Sequence, residues 1–362
     1  MKNYKLDDNF LERYKKFLAS ADIFDSEDDQ KTDYWRHHSQ LLNVKMDGSN
    51  FSVDGSSGFY VPGKTYFDVF KKFLRTTIFS PRLIFNKLQN KILSFLKVSG
   101  HLSPEKAFDL ISSFNPEDSN AKEYIEAFSA RSPDRIDFHK VTKKEGSFSK
   151  IKEIRKFSKG RYILNTQMIF SYYLYNIFNF FSEKNNNLTI LEIGGGNGNL
   201  MSVLHDNCPN STIIDVDLPE TLCSAILFIK EMYPESKILL PNEIEGQINC
   251  DYDFIFITPS QLDFVQSKTI DVCINISSFQ EMTLNQISKY FNFLYKSLKQ
   301  KGLFITVNRV EKLFNESPAT RFADYPWNKR NQIVAYEIDP FFHLTCPNDH
   351  FLRIEKITDE GI

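Results

Sequence analysis

Cysteine is scarce and scattered. The five thiols, Cys208, Cys223, Cys250, Cys273 and Cys346, contain no CxxC pair, and an odd number without such spacing argues against both a disulfide framework and a thiolate zinc site. A reducing cytosol fits that usage. No apolar run approaches the ~20 residues that span a bilayer, and the N-terminus, MKNYKLDDNFLERYKKFL, is charged throughout where a signal peptide needs an apolar core. Both absences predict a cytoplasmic chain without a transmembrane segment. Nor is there an excess of positive charge: the net charge is -2, so nucleic acid is not expected as a partner, because phosphate-backbone binding needs clustered Lys and Arg. Repeats and low-complexity tracts are missing too.

What is present is 41% hydrophobic and 25% charged residues over 362 positions, enough for two domains. The texture changes near residue 155. Residues 1–155 read as a mainly helical N-terminal domain that contacts substrate or partner. Phe10, Leu11, Tyr14, Phe17 and Leu18 fall at helical spacing, and the acidic DSEDD run that follows is a solvated loop. Residues 46–63 concentrate Gly, Ser, Asp and Pro and read either as turns around short strands or as a mobile loop. Pro104 after Ser103 suits the start of a helix over 104–128. Residues 64–98 carry eight Lys or Arg against one Asp, interleaved with six Phe. Two readings stand for that segment: amphipathic helices split near Pro81, or a surface for peripheral contact with anionic lipid headgroups or a nucleotide diphosphate.

Residues 156–362 have a different rhythm. A long apolar and aromatic helix over 161–181 ends at NNN, and then strands and helices alternate through LTILEI, STIIDVDL, FIFI, DVCINI, LFITV and HFLRIEKIT. Such alternation predicts an α/β doubly wound sheet with helices on both faces. In LEIGGGNGNL, Gly194, Gly195, Gly196 and Gly198 follow the strand that ends at Ile193. Glycines between a strand and a helix let a nucleotide approach the backbone. The dinucleotide fingerprint GxGxxG requires glycine at 199, where the chain has Asn199, which argues against an NAD-dependent enzyme. The GxGxG spacing instead matches S-adenosylmethionine methyltransferases, where an acid at the position of Glu192 faces the methionine ammonium group. Asp217 ends the next strand and is placed to accept bonds from ribose hydroxyls, with Asp215 its rival on the same face. The plainer reading makes the glycines a tight turn and Glu192 half of an ion pair.

Four motifs in order, LEIGGGNGNL, DVDLPETL, INISSFQEM and VNRV, resemble a family of bacterial sugar O-methyltransferases of class I. The resemblance covers roughly the last two hundred residues. It implies a Rossmann-like sheet of seven strands with the last antiparallel, a helical N-terminal region, and S-adenosylmethionine as methyl donor. The implied acceptor is a sugar hydroxyl of a surface glycan or of its nucleotide- or lipid-linked precursor. DLPE is similar to other O-methyltransferases in which this Asp holds the ribose, which favours Asp217 over Asp215. Leu218 and Asn275 join the expected cofactor contacts, and Ser260 and Gln261 of PSQ are placed at the adenine edge.

A sugar hydroxyl needs a general base or a metal ion to become nucleophilic. Glu281, just past the fourth core strand, is the first candidate base, with Gln280 to orient the acceptor; the alternative makes Glu281 an early-helix acid with Ser277 or Ser278 as the cap. Asn308 and Arg309 end the next strand on the same rim, and Arg309 is suited to a substrate phosphate or carboxylate or to a structural salt bridge. In ADYPW, Asp324 offers an acid and Tyr325 and Trp327 two aromatic faces for a sugar ring, unless the run is a packed turn around Pro326. His343 is another candidate base or a core residue. Asp251, Asp253 and Asp271 precede strands at the edge away from the ligand, so no required metal is expected. Two competing expectations are a small phosphorylated or aromatic acceptor, and a catalytically silent cofactor-binding subunit.

Overall fold

The apolar runs after residue 187 become strands because they are buried on both sides, as parallel strands under helices must be. In the computed structural model, which describes residues 7–20, 43–47, 50–54, 162–183, 186–313, 318–345 and 348–358, helix α1 spans Asp8–Ser20 and strands β1 (Asn43–Asp47) and β2 (Asn50–Asp54) form an antiparallel hairpin. Helix α2 (Tyr162–Phe181) leads into β3 (Thr189–Ile193), α3 (Asn199–Asn207), β4 (Thr212–Val216), α4 (Pro219–Met232), β5 (Ile238–Leu239) and β6 (Phe254–Ile257). Then come β7 (Ile270–Ile276), α5 (Leu284–Ser297), β8 (Leu298–Arg309), the short pair β9 (Glu311–Lys312) and β10 (Thr320–Arg321), β11 (Gln332–Ile338), α6 (Pro340–Thr345) and β12 (His350–Lys356). The basic segment 64–98 and the helix expected over 104–128 lie outside the described residues.

The main sheet has the order β11-β12-β8-β7-β3-β4-β6-β5 and is parallel except for β12, which runs against both its neighbours. An antiparallel last strand is what the resemblance to the sugar O-methyltransferases implies, and here it is slotted between β8 and β11. The sheet holds eight strands, one more than the resemblance implies; β6 lies against β4 and leaves the two-residue β5 at the edge. Strand order reverses at β3, with β4 on one side and β7 on the other. In doubly wound sheets such a switch point is where a ligand crevice forms, at the carboxyl ends of the strands.

Two apolar layers sandwich the sheet. One joins Ile190, Ile213, Phe254 and Ile274 to Tyr173, Met201 and Ile226 of α2, α3 and α4; the other joins Leu191, Ile214 and Phe304 to Ile287, Phe291 and Leu294 of α5. Helix α1 belongs to the first layer. Its buried Phe10, Tyr14 and Phe17 face α4, Tyr14 Oη donates to the Cys223 carbonyl at 3.0 Å, and Arg13 donates to the Ile238 carbonyl and pairs with Glu243. Helix α1 is thus joined to the sheet, although the sequence places it in the N-terminal region. Among the described residues, no helix is long and apolar enough to cross a membrane.

Candidate active site

The turn after β3 is held in a shape only glycine tolerates. Gly194 has φ +75°, and a Cβ there would lie 2.3 Å from the Cβ and Oγ of Ser278. Gly196 also has positive φ, +62°, but borders open space. Gly194→Ala is therefore expected to combine backbone strain of about 1–3 kcal/mol with overpacking of about 1–3 kcal/mol, whereas Gly196→Ala carries the strain alone. Denaturant unfolding of the two variants measures the difference.

The two acids of DVD fasten this loop. Asp215 Oδ1 accepts the Gly195 N–H at 3.1 Å, and Asp217 accepts the N–H groups of Gly196 at 2.9 Å and Leu218 at 2.7 Å. Asp215 is fully buried below the loop, level in register with Glu192 on β3, while Asp217 lies at the strand's end. Glu192 Oε2 and Asp215 Oδ2 are buried with no hydrogen-bond partner. Burial, helped by the charge of Asp217, raises the Glu192 pKa to about 8 and pushes Asp215 well above the carboxylate range; burial raises Asp217 to about 7 against the pull of its backbone bonds. No Lys or Arg pairs with Glu192 among the described ion pairs. Three carboxyls crowded out of water call for protons or for a cationic ligand.

Linkage then sets the pH response. With folded pKa values raised above the unfolded ones, Glu192 and Asp217 hold more protons in the folded chain, so the stability they contribute is full below about pH 4 and is lost as pH rises through 7 to 8. Asp339, buried and raised to about 6, acts in the same direction at lower pH, and His350, lowered to about 4 by burial, opposes it only below its unfolded value near 6.5. The ligand-free melting temperature is expected to fall between pH 6.5 and 8.5. Thermal melts across that range test it.

Past β7 the expected contacts turn out to hold one another. Asn275 Nδ2 donates to the Ile193 carbonyl at 3.0 Å and to Ser278 Oγ at 2.6 Å; Asn308 Nδ2 donates to Asn275 Oδ1 and Thr306 Oγ1, both at 2.8 Å. Asn308 Oδ1 accepts the Gln280 N–H at 3.1 Å, and Gln280 Oε1 accepts the Arg309 N–H at 2.7 Å. All three amides are buried. Rather than project into the crevice, they clamp the ends of β3, β7 and β8 in register. Gln261 is occupied likewise, accepting from the Thr258 N–H at 3.0 Å and donating to the Pro241 carbonyl at 2.8 Å, while Ser260 beside it is exposed.

Glu281 closes a separate 3-10 turn, Phe279–Glu281, and the cap of α5 is Thr283, whose side chain accepts the Gln286 N–H. Neither Ser277 nor Ser278 caps the helix. Glu281 therefore lies ahead of the first turn, on the rim beside Arg309, and Ser277, with φ +55°, supplies the sharp exit from β7. Tyr325 and Trp327 require a correction. Tyr325 is 3% exposed and packs against Phe279, Phe291 and Phe322; Trp327 bonds the Phe322 carbonyl and lies under the Arg353 guanidinium, 4.3 Å from its ring centre. Tyr325 is core, as the packed turn around Pro326 predicts, while Trp327 is partly buried against the same aromatic cluster. Asp324 stands exposed on the same turn. His343 on α6 bonds through Nδ1 to Asp349 Oδ1 at 2.7 Å. Sequence reasoning missed Asp349, whose pairing brings the start of β12 against α6. Among the described residues, no group of three or more His, Cys, Asp or Glu is arranged to hold a metal ion.

No family model matches the chain, and no curated protein matches it. Among solved structures, geranyl diphosphate C-methyltransferase from Streptomyces coelicolor, in complex with magnesium, geranyl diphosphate and S-adenosyl-L-homocysteine, is similar over 55% of this chain and 85% of its own, at 13% identity and a TM-score of 0.38. A SAM-dependent methyltransferase from Aquifex aeolicus is similar over 59% of this chain and 100% of its own, at 13% identity and a TM-score of 0.34. Likenesses at this level leave the fold assignment resting on the strand order and the antiparallel β12.

Proposed function

We propose that this protein is an S-adenosylmethionine-dependent O-methyltransferase acting on a sugar hydroxyl. The observation that carries the cofactor reading is the buried, unpartnered Glu192 Oε2 beside Asp217 at the glycine loop. An ammonium group supplies the charge that this oxygen lacks, and vicinal hydroxyls suit Asp217, whose oxygens have lone pairs beyond the two backbone bonds. Glycine at 196 leaves room on the open side of the loop. Ser260 and Leu218 are assigned to the cofactor's contacts, while Gln261 and Asn275 act by holding the backbone around them. When bound, the sulfonium supplies an activated methyl group for in-line transfer to oxygen.

The chain's task is then to place and deprotonate the acceptor. Glu281 sits where the carboxyl ends of β7 and β8 meet the crevice and takes the hydroxyl proton. The clamp of Asn275, Gln280 and Asn308 fixes the turn that carries it. His343, oriented by Asp349, is the alternative acceptor, favoured by that 2.7 Å bond. Asp324, exposed, has no assigned part. The sugar acceptor rests on the four ordered motifs, and the region before residue 155 is proposed to help choose it.

Calorimetry with S-adenosylmethionine and S-adenosylhomocysteine tests the cofactor; absence of binding would sink the proposal. Mass spectrometry of surface glycans from cells with and without the protein tests the acceptor, with loss of one methyl increment as the expected result.

A further inference from the structure

Arg309, the last residue of β8, carries a guanidinium whose buried Nε has no hydrogen-bond partner. Its backbone N–H is taken by Gln280, and among the described residues the guanidinium enters no ion pair. Its charged surroundings include another cation. Lys312, half buried on β9, has its pKa lowered by burial, is repelled by Arg309 and is attracted by Glu281. His350 stands opposite Arg309 in the β12–β8 register and has its pKa lowered to about 4, first by burial and further by the Arg309 charge. The neighbouring acids are committed: Asp349 to His343 at 2.7 Å and Glu311 to Arg321 at 2.7 Å. Glu281 attracts Lys312 across the same rim.

A partly buried cation with an unpartnered donor is costly in the free protein, and a ligand that brings an anion relieves that cost. Arg309 offers a planar fork that fits phosphate or carboxylate through two bonds, and Lys312 adds a point charge. Arg309 stands at the carboxyl end of β8, on the side of the switch point away from β4 and its acids, and Lys312 follows three residues later on β9. The cofactor's positive groups belong with those acids, so the cationic side is left for the acceptor.

We propose that the acceptor is anionic, and that Arg309 and Lys312 hold its phosphate or carboxylate so that the hydroxyl to be methylated lies against Glu281. This rests on the methyltransferase reading for the identity of the crevice. It narrows the acceptor to an acidic sugar or a phosphate-bearing sugar precursor.

The test is calorimetric titration of inorganic pyrophosphate and, separately, of glucuronate into the full-length protein, with and without S-adenosylhomocysteine. The expected result is binding of at least one probe, weakened about tenfold or more in Arg309→Gln and in Lys312→Met, with S-adenosylhomocysteine affinity unchanged in both. The probe that binds identifies the source of the anion. Failure of both probes to bind the parent protein, or equal binding by parent and variants, overturns the proposal. If Arg309→Gln does not fold, Lys312→Met on the short edge pair carries the test. Loss of S-adenosylhomocysteine binding in the parent would instead sink the cofactor reading and leave the anion site standing.

Discussion

Glu192→Gln is expected to weaken S-adenosylmethionine binding by about tenfold to a hundredfold while leaving the ligand-free protein at least as stable as the parent. The affinity loss follows from replacing a charge-assisted bond, worth about 1.5–3 kcal/mol, by a neutral one. The stability gain follows from the other side of the same chemistry. Without ligand, Glu192 is buried beside Asp215 and Asp217, with one oxygen unpartnered and its pKa raised to about 8. An amide of the same shape removes the repulsion and the cost of burying a charge. Most substitutions in a core strand destabilise, so a rise in melting temperature coupled to a fall in affinity is a signature that a packing role cannot produce. Calorimetry and thermal melting of the same preparation measure both. Unchanged affinity, or a melting temperature well below the parent's, would show that Glu192 is only a strand residue. The variant should also flatten the decline of stability between pH 6.5 and 8.5, since it removes one of the two groups that titrate there.

The parts of this site that were legible in the sequence are those fixed by short separations. LEIGGGNGNL and DVDLPE each place their acids and glycines within one strand and its turn, and the register of β3 with β4 follows from the alternation of Ile and acid in both. Central strands such as FIFI and DVCINI announce themselves as apolar runs because both faces are covered. Edge strands do not. β5 is two residues long, and β11 begins with exposed Gln332 and Ile333, so neither has the pattern of a buried strand. Thr283 and Gln286 form a capping box that local spacing could have revealed, and it moves Glu281 out of the helix. Tyr325 and Trp327 were not legible in that way. Whether an aromatic turn faces a ligand or a core depends on Phe279, Phe291 and Arg353, which come from elsewhere in the chain. The amides Asn275, Gln280 and Asn308 teach the same lesson: polar residues at a rim can satisfy one another across strands, and only the pairing of β7 with β8 shows it.

Glu281→Gln is expected to lower kcat by about a hundredfold or more, within the ~10²–10⁴ that a positioned general base contributes, and to leave cofactor affinity intact. Three observations support that ranking over His343. Glu281 lies on the turn that leaves β7, next to the strand that carries the glycine loop, and this places it at the switch point. Its turn is held by Gln280, which is bonded to both Asn308 and Arg309, so the carboxylate is presented by a fixed backbone. The cation Lys312 is drawn toward it, so a positive charge stands beside the carboxylate on that rim. His343 lies farther along the same rim, on a short helix beyond β11, and His343→Gln is expected to cost less than tenfold. Single-turnover rates across a pH series separate the two, because loss of the true base removes a limb of the profile while loss of a bystander only scales it. If His343→Gln shows the larger loss and the changed profile, the proton goes to the His343–Asp349 pair, and Glu281 becomes the residue that steadies Lys312 for the acceptor.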